Sequence, residues 1–330
     1  MKWTADKILE MASRYRAACV LAAAVDLELF EAMLGRRLTA AQIARRIRGD
    51  RRAVTIILDA LAALALLNKS GGRYAVPADA AAVLTAGGRR SVLAMSQHQA
   101  NCLRRWAQLP WVAKTGRPAV RVPSVRGERK DAAAFIGGMH DLNRRMAPKL
   151  VREIQPLPFQ HLLDIGGASG TWTIAFLETN PLGRATIFDL PHVVPMARRR
   201  LRQLKLTGRV RLVAGDFYRD ELPRGADLAW VSAIVHQNSR EQNRALFRKI
   251  FRALQPGGRI AIRDVVMEES RTAPVPGALF AVNMLVGTPG GGTFTFKELA
   301  ADLRRAEFVE ARLVRRGVGN DSVVVAKRRS

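Results

Sequence analysis

A chain of 330 residues with 48% hydrophobic content is long enough for two domains with buried cores. Its two cysteines, Cys19 and Cys102, exclude a disulfide framework, the opening MKWTADKILEM has no apolar run of signal type, and the longest apolar run, IILDALAALALL (56–67), is broken by Asp59 and too short for a bilayer; a soluble, cytoplasmic protein is expected. The net charge of +26 invites a nucleic-acid reading, yet the excess is spread along the chain, +15 over residues 1–150 and +11 over 151–330, mostly as arginine pairs among alanines.

Residues 5–34 carry apolar groups at helical spacing and hold no Gly or Pro before Gly35, which predicts a helix there. LTAAQIARRI places Gln42 three residues after Thr39, a capping-box pattern, and a second helix is predicted from about 51 to 67. NKSGGRYAV (68–76) reads as a hairpin. Helix, turn, helix and hairpin make a winged-helix-like, otherwise all-helical domain over 1–90. After Arg52 the second helix has only Thr55 and Asp59 as polar side chains, too few to read bases, and its nearly all-round apolar surface predicts burial on more than one side. Arg45, Arg46, Arg48, Arg51 and Arg52 keep a DNA-binding reading open. Residues 91–158 read as a helical connector with a basic link at 114–131; Phe135, Met139 and Met146 in its second helix are either core or the lining of an apolar pocket.

From about 159 onward the pattern changes to alternating strands and helices. HLLDIG, RATIFDL, VRLVAGD, ADLAWVSAIV and GRIAIRDVVM read as strands, with helices over TWTIAFLETN, PHVVPMARRRLRQL and NSREQNRALFRKIFRAL. That alternation predicts an α/β, doubly wound, mostly parallel sheet, with ligands bound beyond the carboxyl ends of its strands. The turn Asp164-Ile-Gly166-Gly167-Ala-Ser-Gly170 fails the dinucleotide fingerprint, because Ala168 and Thr171 stand where two glycines are needed, and no phosphate-cradling Gly-Lys-Ser/Thr follows. Its glycines instead let a ligand approach the backbone closely. The next strand ends in FDLP, with Asp189 and Leu190, 23 residues after Gly166, where an acid can bind both ribose hydroxyls. The third ends in GDFY, where Asp216 can accept from an adenine amine and Phe217 can pack on the adenine face. Ribose and adenine without pyrophosphate describe S-adenosylmethionine.

With these motifs in hand, the chain resembles the class I S-adenosylmethionine-dependent O-methyltransferases, in particular the family of plant caffeate, bacterial hydroxyindole-type and polyketide-tailoring enzymes with an N-terminal dimerisation domain. The likeness runs through AAVDLELFEAM, LTAAQIARRI, LDALAALALL, DIGGASG, FDLP, GDFY, a histidine after the fourth strand, and PGG. It implies a Rossmann-like methyltransferase domain over 159–330, a homodimer, a small-molecule hydroxyl acceptor and no metal. It also implies roles. His236, in AIVHQN, would be the general base, a task that suits histidine near neutrality. Asp264, 28 residues later in IRDVVM, would orient it. Asp164, Gly166, Gly167, Gly170, Asp189, Leu190, Asp216, Phe217 and Ser232 would hold the cofactor, Ser232 standing where plant members carry a lysine. Phe135, Met139, Asn283 and Met284 would line the acceptor pocket. The chain departs from the pattern in reading His236-Gln237-Asn238 for the usual His-Asp-Trp, and in placing Thr293 where plant members have a second acid.

Two other functions stay open at this level. A nucleic-acid methyltransferase would use the positive charge, although no Asn/Asp-Pro-Pro-aromatic motif is present. A cofactor-sensing winged-helix regulator would bind duplex DNA through the N-terminal domain.

Overall fold

The computed structural model describes residues 2–329. The chain divides into two compact units, one formed by residues up to Ala107 with Val120–Leu142, the other by Gln108–Ala119 with residues from Asn143 onward.

In the first unit, the helix predicted over 5–34 is three: α1 (Ala5–Ser13), α2 (Tyr15–Asp26) and α3 (Leu29–Met33). The second break is set by Glu28, whose φ of 54° is left-handed and cannot continue a helix. Then come β1 (Leu38–Thr39), α4 (Ala40–Ile47), α5 (Arg51–Ala63), β2 (Asn68–Ser70), β3 (Arg73–Ala75), α6 (Ala78–Leu84) and α7 (Leu93–Trp106). The capping box of Thr39 and Gln42 opens α4 as the sequence predicts. The hairpin turns at Gly71 and Gly72, both at positive φ. It is not the domain's only strand pair, because β1 adds to β3 and makes a three-stranded sheet. Val54, Leu58 and Leu61 bury one side of α5, while Ile56 stays 55% exposed, so the chain by itself covers one face of this helix and not several.

The helices α8 (Leu109–Thr115) and α9 (Glu128–Glu153) follow; the connector predicted over 91–158 is thus shared between the two units, and α9 runs from the first into the second. The second unit continues with β4 (His161–Ile165), α10 (Thr171–Thr179), β5 (Arg184–Asp189), α11 (Val194–Gln203), β6 (Val210–Ala214), β7 (Ala226–Ser232), α12 (Arg240–Ala253), β8 (Leu254–Asp264), β9 (Val266–Met267), α13 (Val275–Gly287), β10 (Phe294–Thr295), α14 (Phe296–Arg305), β11 (Phe308–Arg315) and β12 (Ser322–Arg328). The strands predicted from alternation all form. The main sheet has seven strands in the order β11-β12-β8-β7-β4-β5-β6, parallel except where β12 runs antiparallel to β8 and β11. Successive side chains go to opposite faces: Ala229 and Val231 join the core under α12 and α14, Leu228 and Trp230 the one under α9, α10 and α11.

From β4 the chain winds outward to β6, then returns to β7 on the other side of β4. The crevice at the ends of β4 and β7 is therefore the switch point where such sheets bind ligands. At the end of β4, Asp164 is buried, accepts from Thr173 Oγ1 at 2.6 Å through one oxygen, and leaves the other without a partner. Burial raises its carboxyl pKa to about 7, with Asp189 adding to the effect and Thr173 opposing it.

This sets a pH dependence. An acid whose pKa is higher folded than unfolded adds no penalty where both states are protonated, and the full penalty of a buried charge where both are ionised. Stability should fall as pH rises from 3.8 to about 7. Asp164→Asn cannot ionise and should escape the loss. Its melting temperature relative to wild type should therefore climb between about pH 4 and 7. A difference that stays flat across that window would show that Asp164 does not titrate there.

Candidate active site

Two turns form the crevice. The first follows β4. Gly166 has φ of 65° and donates its N–H to Phe188 O at 2.8 Å; a Cβ here would meet Ile234 Cδ1 at 2.8 Å. At Gly167 a Cβ would lie 2.9 Å from both Asp164 Cγ and Ile187 Cγ2. Gly170, with φ of 74°, is the N-cap of α10 and leaves that helix end without a side-chain cap. These three positions need glycine for separate reasons: conformation, packing and both. Asp189 at the end of β5 is tied to the same turn, because its two oxygens accept from Ala168 N and Leu190 N, each at 2.7 Å. Burial pushes its carboxyl pKa up, against the pull of those two N–H groups. The structure thus gathers Asp164, Gly166, Gly167, Gly170, Asp189 and Leu190 into one assembly.

The loop after β6 carries Asp216 and Phe217. The Asp216 carboxylate folds back to accept from Tyr218 N at 2.9 Å, and Phe217 packs against the core beneath α12 and α14, 4.5 Å from the Tyr218 ring. Tyr218 donates its hydroxyl to Asn238 Oδ1. Fully buried Asn238 then donates to Asn243 Oδ1 at 3.0 Å, and Asn243 to Val235 O at 3.0 Å. This chain of bonds joins the GDFY loop to the turn carrying His236. Sequence reasoning missed it; the only trace was the unusual His236-Gln237-Asn238, where a polar residue replaces the family's tryptophan.

The second turn, a 3-10 turn over Val235–Gln237, follows β7. His236 Nδ1 lies 2.8 Å from Asp264 Oδ1, and its backbone N–H donates to the other oxygen at 3.2 Å. Asp264 also accepts from Val265 N at 2.7 Å and is 2% exposed. The histidine side chain is 12% exposed, its ring edge-on to Phe280 of α13 with centroids 4.8 Å apart. With Nδ1 as the donor to the carboxylate, Nε2 is left as an acceptor. The PGGG turn closes on the same segment: Gly292 N donates to His236 O at 2.8 Å, and a Cβ at Gly291 would meet that oxygen at 2.6 Å. Gly291, in the turn over residues 289–292, is thus a site residue that the sequence did not single out. Thr293, where a second acid was expected by resemblance, is buried and uses its carbonyl to accept from Arg271.

Ser232 ends β7, one residue beyond the Ile165–Val231 pair, and accepts from Arg263 Nη1 at 3.0 Å. Among the residues that the resemblance assigns to an acceptor pocket, Met284 is buried on α13 beside half-buried Asn283. Phe135 and Met139 belong to the part of α9 in the first unit, where Phe135 packs on His98 at 5.0 Å.

Family models match over most of the chain: an O-methyltransferase domain over residues 98–308 and an O-methyltransferase dimerisation domain over 9–86. The chain is 31% identical, over 89% of its length and 87% of the relative's, to 3-hydroxy-5-methyl-1-naphthoate 3-O-methyltransferase of Streptomyces sahachiroi. It is 30% identical to the tetracenomycin polyketide synthesis 8-O-methyl transferase TcmO of Streptomyces glaucescens, over 92% and 91% of the two chains. Among solved structures, PigF with SAH superposes with a TM-score of 0.86 at 25% identity, covering 98% of this chain and 100% of that one. With both family models matched over most of the chain, and two relatives at 30% identity or more over about nine-tenths of its length, the chain belongs to the O-methyltransferase family.

Proposed function

We propose that this protein transfers a methyl group from S-adenosylmethionine to a hydroxyl of a small aromatic, polyketide-like molecule, with His236 as general base. The observation that carries the reading is the His236 Nδ1–Asp264 hydrogen bond of 2.8 Å, made at a strand end beside the glycine turn.

The residues present fit the cofactor. Each Asp189 oxygen has one backbone N–H bound and a lone pair left, which is the pattern needed to receive a pair of ribose hydroxyls. Gly166, Gly167 and Gly170 let the adenosyl group lie against backbone, and Leu190 and Phe217 offer apolar surface. When bound, S-adenosylmethionine supplies an electrophilic methyl group on a sulfonium. The remaining work belongs to the protein. His236 Nε2 takes the proton of the acceptor hydroxyl, so that its oxygen becomes a strong nucleophile. Asp264 holds the ring in the tautomer with Nδ1–H and stabilises the imidazolium that forms. The Gly291–Gly292 backbone and the Asn238–Asn243 bonds fix the turn, so the base sits at one distance from the acceptor. With Thr293 in place of a second acid, deprotonation rests on this single pair.

The aromatic, polyketide-like acceptor is supported by the naphthoate and tetracenomycin substrates that name the relatives. Asn283 and Met284 on α13 are its proposed contacts in the second unit. A homodimer follows from the dimerisation-domain match and from apolar groups that the chain leaves uncovered: Ile8, Leu9 and Met11 on α1, Ile56 on α5. Among the described residues no helix is long and apolar enough to cross a membrane. Two free thiols agree with a cytoplasmic setting.

The nucleic-acid readings gain nothing from α5. Asp59 is engaged by Lys69 Nζ and Tyr74 OH, each at 2.6 Å, and Thr55 donates to Arg51 O at 2.7 Å. Both side chains are already engaged within the domain.

Incubation with methyl-labelled S-adenosylmethionine and a panel of phenolic and naphtholic acceptors tests the reading. His236→Ala should lower kcat by about 10²–10⁴-fold with affinity for S-adenosylhomocysteine unchanged; equal turnover would remove the base assignment. Asp189→Ala should weaken S-adenosylhomocysteine binding by roughly 10²-fold in calorimetric titration, the size expected for losing hydrogen bonds to a charged group; an unchanged Kd would place the ribose elsewhere.

A further inference from the structure

Tyr218 uses its two ends differently. Its ring is 50% exposed, while its hydroxyl reaches inward and donates to Oδ1 of fully buried Asn238. Burial pushes the phenol pKa up, the Asp216 charge adds to the rise and a hydrogen bond with Gln237 opposes it, so the hydroxyl keeps its proton and stays a donor at neutral pH. A phenylalanine would give the loop the same ring; only the hydroxyl requires tyrosine. Both ends of the Asn238 amide are spent, Oδ1 on Tyr218 and Nδ2 on Asn243 Oδ1 at 3.0 Å. An amide buried this deep is tolerated only when it is satisfied in this way.

The two segments that this bond joins are each fastened on their far side. Gly215 N donates to Asp189 O at 2.9 Å, so the loop after β6 is tied by backbone to the residue proposed to hold the ribose. A Cβ at Gly215 would collide with the Phe188 ring, which shows how closely the two strand ends approach. Lys249 of α12 spends all three of its N–H groups on the same loop, donating to Phe217 O at 3.0 Å, Tyr218 O at 3.1 Å and Asp220 O at 2.8 Å. Asn243, on the same helix, donates to Val235 O, next to His236. Helix α12 is thus a bar to which the loop and the turn are both attached, and the Tyr218–Asn238 bond closes the ring between them. The path runs without a gap from Asp189 through Gly215, Tyr218 and Asn238 to His236.

We propose that Tyr218 is a positioning residue for the base: its hydroxyl carries the bound cofactor's hold on the loop after β6 across to the turn that carries His236. The inference rests on the S-adenosylmethionine reading above. A cofactor held at Asp189 restrains the loop, the loop restrains Asn238, and the His236 turn opens less often, so the base is steady when the donor methyl is in place. Tyr218 does not touch the reacting atoms; it acts through Asn238. The family's usual tryptophan at that place has no acceptor for the hydroxyl, which makes the link a property of the His236-Gln237-Asn238 sequence of this chain.

Hydrogen exchange read by mass spectrometry, with and without S-adenosylhomocysteine, tests the link on the intact protein. In wild type the ligand should slow exchange at the glycine turn, residues 164–172, and at residues 235–243, the second by about fivefold or more, the low end of couplings between sites. Tyr218→Phe should keep the slowing at 164–172 and a Kd for S-adenosylhomocysteine within about threefold of wild type, and lose the slowing at 235–243. Asn238→Ala breaks the same bond from its other end and should give the same pattern. With the best acceptor of the panel above, Tyr218→Phe should lower kcat on the order of tenfold with KM for S-adenosylmethionine unchanged. A merely structural role would speed exchange in free and liganded protein alike and leave the ligand's effect intact; that result overturns the proposal, and so do an unchanged kcat or a wild-type 235–243 segment that ignores the ligand. Should Asn238→Ala fail to fold, Tyr218→Phe decides alone, because it removes one oxygen from a half-exposed ring. No slowing at either segment and no calorimetric binding of S-adenosylhomocysteine by wild type would overturn the cofactor reading itself, and this inference with it.

Discussion

The register of β7 on β8 is the constraint on which the rest of the site depends. Ser232 lies opposite Arg263, so the last residues of the two strands are level and the turn after β7 falls over the end of β8. Side chains alternate along a strand, so Arg263 and Asp264 point to opposite faces. Asp264 reaches His236 beneath α13; Arg263 reaches Trp172 beneath α10. A slip of one residue would exchange them, put a cation under the histidine and bury a carboxylate among tryptophans. Two apolar cores, one on each face, hold that register. Val231 and Ile262 lie on one, Trp230 and Ala261 on the other, so any slip would expose or misplace all four at once.

Around this pair of strands the molecule accumulates polar groups that a stability-driven design would avoid. Asp164, Asp264, Arg263 and Asn238 are buried within one or two residues of a strand end or turn, and Asn243 is buried in the first turn of α12. Each is held by neighbours whose positions the sheet dictates: Asp164 by Thr173, Asn238 by Tyr218, Arg263 by Ser232. The expense is met by the apolar layers on both sides, and the benefit is preorganisation, since groups already fixed by packing need not be ordered when a ligand arrives.

Much of this was legible in the sequence because the signals were local. Strand alternation gave the parallel sheet, the glycines of DIGGASG gave a turn open to a ligand, and FDLP and AIVHQN set Asp189 and His236 at strand ends. The capping box at Thr39 and Gln42 is read from four residues and forms as read. What escaped was set by distant partners. The first helix breaks at Glu28 in a left-handed conformation that no Gly or Pro announces. The edge strand β11 and its neighbour β12, FVEARLVR and SVVVAKR, gain their place only by pairing, β12 with β8 and β11 with β12. Arg263 looked like one charged residue among 54 basic ones, and only the sheet shows it to be buried. The same excess of arginine explains why net charge was a poor guide: Arg104 and Arg126 converge on Asp26, and Arg240 and Arg244 on Asp302, each far away in sequence.

The most direct test is a crystal structure of the protein with S-adenosylhomocysteine. The expected result is one bound molecule in the crevice between the glycine turn and the His236 turn, with its ribose on Asp189 and its sulfur aimed at a space that His236 Nε2 also faces. A ligand seated elsewhere, or a histidine whose Nε2 is turned away from the sulfur, would contradict methyl transfer at this site.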